Sequence, residues 1–292
     1  MIEQRDYLED AASKDYKDYV GKGLKLRAKP FLDTNLPKSP NRLLVVGVAL
    51  GGAEEIEALN RFFPDYKIFG IDIARSALKQ NLNATLCYSD LSDLQFEDNY
   101  FSGIMCSAVM HEVYSYSDNG DKKVEKAILE IHRTLAKEGV CAIREFFVPE
   151  DTPSKLILLS KEAVEFTRKF IANFRKNFEH ERSPKLSLRD KEVYGNRRML
   201  TELMLHFRVS FAHFNSTEDF LDSKEIEERY LPISSKRYSK LILDKEMEII
   251  NTEYIDFPKY YPVIEKHFKL MGLNDKMLPN KFGFVDIVFR KK

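Results

Sequence analysis

The sequence predicts an α/β protein with a doubly wound, mostly parallel sheet, and two observations lead to that prediction. Between residues 43 and 148, short apolar runs alternate with helical stretches, which is the pattern of parallel strands with helices on both faces. In addition, the first apolar run leads directly into a glycine-rich turn, and the second ends in an acidic residue. The rest of the chain is organised around this succession of strand, turn, helix, strand and acid.

The glycine-rich turn is the stretch Gly47-Val48-Ala49-Leu50-Gly51-Gly52, which follows the apolar run at 43–46. Glycine lets the backbone approach a ligand closely, and the helix that follows offers free N–H groups at its N-terminus. The second apolar run, residues 67–71, ends in Asp72. An acid placed about twenty residues past the glycines can accept hydrogen bonds from a ribose diol. We therefore expect a site for a nucleoside-bearing cofactor.

The spacing Gly47-x-Ala49-x-Gly51 differs from the glycine pattern of dinucleotide-binding folds and resembles the first motif of class I S-adenosylmethionine (SAM) methyltransferases. Three downstream stretches resemble further motifs of that family, in the family's order. They are TLCYSDL at 85–91, similar to the third strand with its adenine-side acid, LQFEDNYF at 94–101, similar to the run into strand four, and IHRTLAKEGV at 131–140, similar to the turn into strand five. Together they extend the resemblance over residues 43–148.

This resemblance implies a seven-stranded sheet, methyltransferase activity and SAM as the cofactor. It implies that Asp72 accepts hydrogen bonds from both ribose hydroxyls and that Asp90 accepts one from the exocyclic amine of the adenine. The residues that it places at the cofactor are Gly47, Val48, Ala49, Gly51, Gly52, Asp72, Ile73, Asp90, Leu91 and Ser107.

Three positions depart from the family pattern. Val45 stands where the family often has an acid that helps to order the methionine end of the cofactor. Ala49 replaces the middle glycine of the turn, and Val140 replaces the second glycine of the turn before strand five. A Rossmann-like domain that has lost its cofactor is therefore kept as an alternative.

The composition narrows the function classes. The 292 residues include 46 basic and 46 acidic side chains, so the net charge is zero and a globally basic nucleic-acid binder is not indicated. No apolar run approaches membrane-spanning length, and the polar N-terminus does not resemble a signal peptide. The three cysteines form no CxxC pair, which favours reduced thiols and a cytoplasmic protein.

The predicted organisation is an N-terminal helical segment and linker at 1–40, followed by a methyltransferase-like domain at 41–292. Within that domain we expect a helical insertion after strand five, at about 151–214, and an excursion at about 256–282. Alternating patterns at 247–255 and 284–290 predict two further strands. The last of these resembles the antiparallel seventh strand of the family, which lies beside the fifth.

The insertion carries the chain's candidate nucleic-acid surface. Phe166, Phe170, Phe174 and Phe178 recur every four residues, as in a helix that packs one face into a core. Residues 168–198 contain ten basic and four acidic side chains, a surplus that suits RNA when aromatic residues are interleaved. A solvated helix face is the competing interpretation.

The candidate catalytic residues follow strands four and five, because ligands of this fold bind past the carboxyl ends of the strands. His111 is the expected proton acceptor, with the alternative that it caps a turn or fills a packing position. Glu112 and Tyr114 are expected to bind substrate or to form the pocket wall. Arg144 is expected either to clamp a substrate carboxylate or phosphate, or to pair with Glu112 or Glu145 as a structural residue. The remaining histidines are scattered, so no metal site is predicted.

Three functional hypotheses follow. The first is a SAM-dependent methyltransferase that acts on a small molecule, with the insertion as a substrate lid. The second keeps the cofactor but takes RNA as the substrate, recognised by residues 168–198. The third is a catalytically inactive binding module that retains the fold. The sequence indicates neither the acceptor atom nor the oligomeric state.

Overall fold

The computed structural model describes residues 24–147, 152–177, 186–214, 216–256, 261–278 and 283–292. The described residues form two compact units. The first unit lies within Met1–Glu145, Ser235–Glu253 and Val285–Lys292, and the second within Phe146–Ser234 and Tyr254–Phe284. Most of the predicted N-terminal segment lies outside the described residues, so the predicted boundary at residue 40 stays a prediction.

Eleven strands are found among the described residues. They are β1 Arg42–Val46, β2 Lys67–Asp72, β3 Thr85–Tyr88, β4 Phe101–Ser107, β5 Leu135–Phe147, β6 Pro153–Leu158, β7 Ser187–Arg189, β8 Glu192–Asn196, β9 Met247–Asp256, β10 Phe268–Gly272 and β11 Gly283–Lys291.

The α-helices of the same part of the chain number nine. They are α1 Leu24–Leu32, α2 Ala53–Phe62, α3 Met110–Ser115, α4 Gly120–Thr134, α5 Lys161–Asn177, α6 Arg197–His213, α7 Thr217–Leu221, α8 Ser235–Leu243 and α9 Tyr261–His267. None of the described helices is both long enough and apolar enough to cross a membrane.

The larger sheet has seven strands in the order β3-β2-β1-β4-β5-β11-β9. The pairs β1/β2, β2/β3, β1/β4 and β4/β5 are parallel. The predicted seven-stranded α/β sheet is therefore confirmed, and the last strand lies beside β5 as the resemblance implied. Because the strand order reverses between β1 and β4, the crevice at their carboxyl ends is the expected ligand position.

Burial explains why these runs became strands and helices. β1 is buried along Leu43–Val46, and β4 is buried from Phe101 to Cys106. On α4, Val124, Ile128 and Ile131 recur on one face and are fully buried, while charged residues occupy the other positions. The sheet and its helices thus share an apolar core that holds the carboxyl edge in place.

The second unit contains a four-stranded sheet in the order β10-β6-β8-β7, and all three pairs are antiparallel. The insertion has the predicted helices, but it also has these strands, which we did not predict. Strand β10 comes from the excursion at 256–282 and pairs with β6 from the insertion. The two departures from the larger sheet therefore build one unit.

The phenylalanine stripe of the insertion is core where the structure describes it. Phe166 and Phe170 on α5 are buried, with their rings stacked at a centroid distance of 5.8 Å. Phe207 of α6 meets the ring of Phe166 edge-on. Phe178 and the side chain of Phe174 lie outside the described residues.

Candidate functional site

The glycine turn takes a conformation that needs its glycines. Gly47 has φ of 77°, in the left-handed region that favours glycine, and its N–H donates to the carbonyl of Ile71 at 2.9 Å. A Cβ on Gly47 would lie 3.2 Å from Val109 Cγ2, and a Cβ on Gly52 would overlap the carbonyl oxygen of Gly47. Residues Val48–Gly52 form one π-helical turn that leads into α2. Glycine at these two positions therefore lets the chain turn tightly at the carboxyl end of β1.

Asp72 connects this turn to the end of β2. One carboxylate oxygen accepts the N–H of Ala49 at 3.2 Å, and the other accepts the N–H of Ala74 at 2.7 Å. Burial raises the pKa of Asp72, although the backbone N–H groups around it oppose that shift. The next residue, Ile73, is exposed. The predicted ribose acceptor thus lies directly beside the glycine turn.

Asp90, the predicted hydrogen-bond acceptor for adenine, follows β3 and already accepts hydrogen bonds from the protein. Its carboxylate accepts the N–H of Ser92 at 2.8 Å and pairs with Lys123 Nζ of α4 at 2.5 Å. Burial raises the pKa of Asp90, but the hydrogen bonds from Lys123 and Ser92 outweigh it and lower the pKa. Leu91 is buried beside it.

The chain turns sharply where β4 ends. Ala108 has φ of 50°, which is uncommon for a residue with a side chain, and its N–H donates to the carbonyl of Arg144 at 2.8 Å. Ser107 precedes it at the end of β4, and Val109 follows it against Gly47. The turn therefore places the start of α3 next to the glycine turn, at the crevice between β1 and β4.

His111 and Glu145 form a buried pair at this place. His111 Nδ1 lies 3.0 Å from Glu145 Oε2, and both residues are buried. Glu145 Oε1 also accepts the backbone N–H groups of Met110 at 2.7 Å and of His111 at 3.3 Å. Val109, the residue before α3, offers no side-chain cap, so a carboxylate from β5 caps this helix instead.

The other predicted residues of this edge have structural contacts. The guanidinium of Arg144 donates from Nε and Nη2 to Asp286 of β11, at 2.7 and 2.6 Å. Its observed partner is thus a residue that the sequence did not suggest. The ring of Tyr114 packs on Gly120, where a Cβ would lie 2.6 Å away. Glu112 is half-buried on α3 beside His111.

Two buried acids at the carboxyl edge were missed by the sequence analysis. Glu145 was considered only as a partner of Arg144, and Glu55 was not considered at all. Burial raises the pKa of Glu55, and the charge of Arg27 opposes that shift. Arg27 of α1 reaches Glu55 at 3.4 Å and Glu54 at 2.9 Å. The only sequence signal for Glu55 is its position in the first turn of α2, immediately after the glycines.

Residues 46–143 match the family model of a methyltransferase domain. The match covers the glycine turn, both predicted cofactor acids and the start of α3, and it ends within β5. It confirms the resemblance that the motifs predicted. No curated protein matches the chain with significance.

The solved structures that resemble the chain share little sequence with it. A SAM-dependent methyltransferase from Methanosarcina mazei is 16% identical, with a TM-score of 0.46 over 90% of this chain and 97% of that one. The YcgJ protein from Bacillus subtilis is 14% identical, with a TM-score of 0.44 over 91% and 98%. A Burkholderia thailandensis 1,6-didemethyltoxoflavin-N1-methyltransferase with bound S-adenosylhomocysteine is 9% identical, with a TM-score of 0.45 over 98% and 90%.

Proposed function

We propose that the chain is a SAM-dependent methyltransferase that acts on a small molecule bound at the carboxyl ends of β4 and β5. The observation that carries this proposal is the contact between Asp72 and the glycine turn, made by the N–H of Ala49. It brings a buried carboxylate and the glycine turn together at the crevice where a sheet of this order binds its ligand.

The residues present fit this cofactor. Gly47 and Gly52 allow the tight turn beside β2, and Asp72 can accept hydrogen bonds from ribose hydroxyls. We assign the adenine amine to Asp90, whose lowered pKa keeps it an acceptor at neutral pH. When bound, SAM supplies an activated methyl group, and the protein supplies position and a suitable electrostatic environment.

We propose His111 as the group that takes a proton from the acceptor, since it lies on the helix that starts beside the glycine turn. Glu112 and Tyr114, on the same helix, are proposed to face or shape the acceptor pocket. Arg144 is assigned a structural role rather than a substrate clamp, because both carboxylate oxygens of Asp286 accept its hydrogen bonds.

A small molecule is favoured over RNA by the contacts of two basic residues in the insertion. Lys169 pairs with Glu165 and with Glu218. Arg198 donates to the backbone carbonyls of Leu231 and Pro232. Filter binding with RNA at several salt concentrations tests the alternative, because phosphate contacts would give a steep salt dependence. The unpaired cysteines support the proposed cytoplasmic location.

The test of the cofactor site is calorimetric titration with SAM. Asp72→Ala should weaken SAM binding by about 2–3 kcal/mol, the scale of hydrogen bonds to a charged group. Asp65→Ala is the matched control, because this exposed acid precedes β2 at its opposite end and should leave the affinity unchanged. Equal affinity of wild type and Asp72→Ala would overturn the assignment.

A further inference from the structure

The side chain of Gln80 binds the backbone of the glycine turn. Gln80 follows a short 3₁₀ turn at Ala77–Lys79, in the connection between β2 and β3, and it is half-buried. Its amide nitrogen Nε2 donates to the carbonyl oxygens of Val48 and Ala77, both at 3.0 Å. The amide group has two N–H bonds, so it can donate to both carbonyls at once. Gln80 therefore ties the glycine turn to the chain segment that follows Asp72.

The carbonyl of Val48 belongs to the same peptide group as the N–H of Ala49. That N–H donates to Asp72 Oδ2 at 3.2 Å, so this one peptide group is held at both ends. A trans peptide group is planar, and its C=O and N–H bonds point in opposite directions. Because the group rotates as one unit, a change at the carbonyl that Gln80 holds also moves the N–H that Asp72 accepts.

The orientation of this peptide group determines how the carboxylate of Asp72 is held. Ala49 donates to one carboxylate oxygen, and Ala74 donates to the other at 2.7 Å. An ionised carboxylate offers about four lone-pair sites, and the bonds that it already makes set the directions of the others. Ribose hydroxyls would donate along those directions. A carboxylate fixed before the cofactor arrives loses less conformational freedom on binding.

We propose that Gln80 is a positioning residue of the cofactor site, which acts on the ribose through Ala49 and Asp72. The inference rests on the proposed function, in which Asp72 accepts hydrogen bonds from the ribose. Gln80 sets the orientation of the peptide group between Val48 and Ala49. The N–H of Ala49 then fixes the carboxylate of Asp72, and the carboxylate meets the cofactor.

The first experiment measures amide hydrogen exchange at Ala49 by NMR, without any ligand. Gln80→Leu removes the amide donor and keeps a similar volume. We expect exchange at Ala49 to become about three- to tenfold faster, the scale of one neutral hydrogen bond. Gln95→Leu is the matched control, because the amide of Gln95 also donates to a backbone carbonyl, that of Asp93 at 3.2 Å, away from the glycine turn. This control should leave exchange at Ala49 unchanged.

The second experiment is a double-mutant cycle in calorimetry with SAM. Gln80→Leu should weaken SAM binding by about three- to tenfold when Asp72 is present, and by less than about twofold in the Asp72→Ala background. A residue that only stabilised the fold would cause the same loss in both backgrounds. Gln95→Leu should cause no loss in either background.

Gln80→Glu serves as a second variant in case Gln80→Leu does not fold. It keeps the length of a half-buried side chain, but an ionised carboxylate cannot donate to the carbonyl of Val48. We expect the same faster exchange at Ala49 in this variant.

Two outcomes would overturn the proposal. One is wild-type exchange at Ala49 in a folded Gln80→Leu or Gln80→Glu variant. The other is an equal loss of SAM affinity from Gln80→Leu with and without Asp72. Failure of the wild type to bind SAM would refute the proposed function together with the role of Gln80 in it. The exchange measurement would still show whether Gln80 holds the glycine turn.

Discussion

Arg144 and Asp286 form a buried ion pair in which the guanidinium meets both carboxylate oxygens, at 2.7 and 2.6 Å. The two residues are 142 positions apart in the sequence. The pair joins β5 to β11, which are neighbours in the larger sheet. A charge left alone at such a place is costly, because little water reaches it.

Removing one member of this pair should therefore destabilise the protein strongly. We expect Asp286→Ala to lower the free energy of unfolding by about 3–5 kcal/mol in urea denaturation. The double variant Arg144→Met/Asp286→Leu should recover most of that loss, because it removes both charges and keeps the volume. A single variant within about 1 kcal/mol of wild type would show that the pair is not desolvated.

Glu55 should make stability depend on pH in a defined direction. Burial raises its pKa above the ordinary value of 4.5. The stability contributed by a raised carboxyl pKa is fully present below 4.5 and is lost as the pH rises through the folded-state pKa. Glu55→Gln cannot ionise, so relative to wild type it should gain stability between pH 4 and pH 7.

Urea denaturation at both pH values checks this, with Glu57→Gln as the control on the exposed side of α2. The control should show a much smaller change with pH. A constant difference between Glu55→Gln and wild type would contradict the prediction and would mean that the ion pair with Arg27 balances the effect of burial.

Tyr238 should tolerate loss of its hydroxyl. The side chain is buried on α8, and its hydroxyl has no hydrogen-bond partner within the described residues. Removing an unsatisfied buried group spares its desolvation cost, so Tyr238→Phe should raise the free energy of unfolding by about 1 kcal/mol. Tyr66→Phe should lower it by a similar amount, because the hydroxyl of Tyr66 donates to the carbonyl of Pro37 at 3.2 Å. Thermal denaturation of both variants measures these opposite changes in stability.

Gly47→Ala should damage both the fold and the cofactor site. The left-handed φ of 77° costs a residue with a Cβ about 1–2 kcal/mol, and the added methyl would press on Val109. The double variant Gly47→Ala/Val109→Ala should recover the stability lost to the contact with Val109, but not the stability lost to the left-handed φ. We expect weaker SAM binding in calorimetry for both variants. Full affinity in Gly47→Ala would contradict a cofactor role for this turn.

The glycine turn could be predicted because its signal is local, whereas the arrangement of the sheet was predicted from the family resemblance. Strands β1 and β2 lie on short apolar runs, and the glycines stand directly between the first run and a helix. The partners of the residues at the carboxyl edge of the sheet were not local in this sense. Glu145 is 34 positions from His111, and Asp286 is further still from Arg144. The position of Arg144 near the end of β5 indicated a functional or structural role. It did not indicate that Asp286 of β11 would be its partner.

The strands of the second unit could not be predicted from the sequence for the same reason. Its helix α5 was predictable from the recurrence of Phe166 and Phe170. Its strands β7 and β8 have three and five residues, too short to show an apolar alternation. Strand β6 finds its partner β10 only after more than a hundred residues have intervened. A short stretch of sequence gives no information about a pairing between strands that are so far apart in the chain.

The place of β11 in the larger sheet has a consequence for how the protein is made. This strand lies between β5 and β9, although both of them precede it in the chain. During synthesis β5 and β9 therefore leave the ribosome with a gap between them that only residues 283–291 can fill. Until then the nascent chain exposes two unpaired strand edges, each able to pair with another molecule. Emergence of residues 283–291 thus covers the unpaired edge of β5 and completes the sheet.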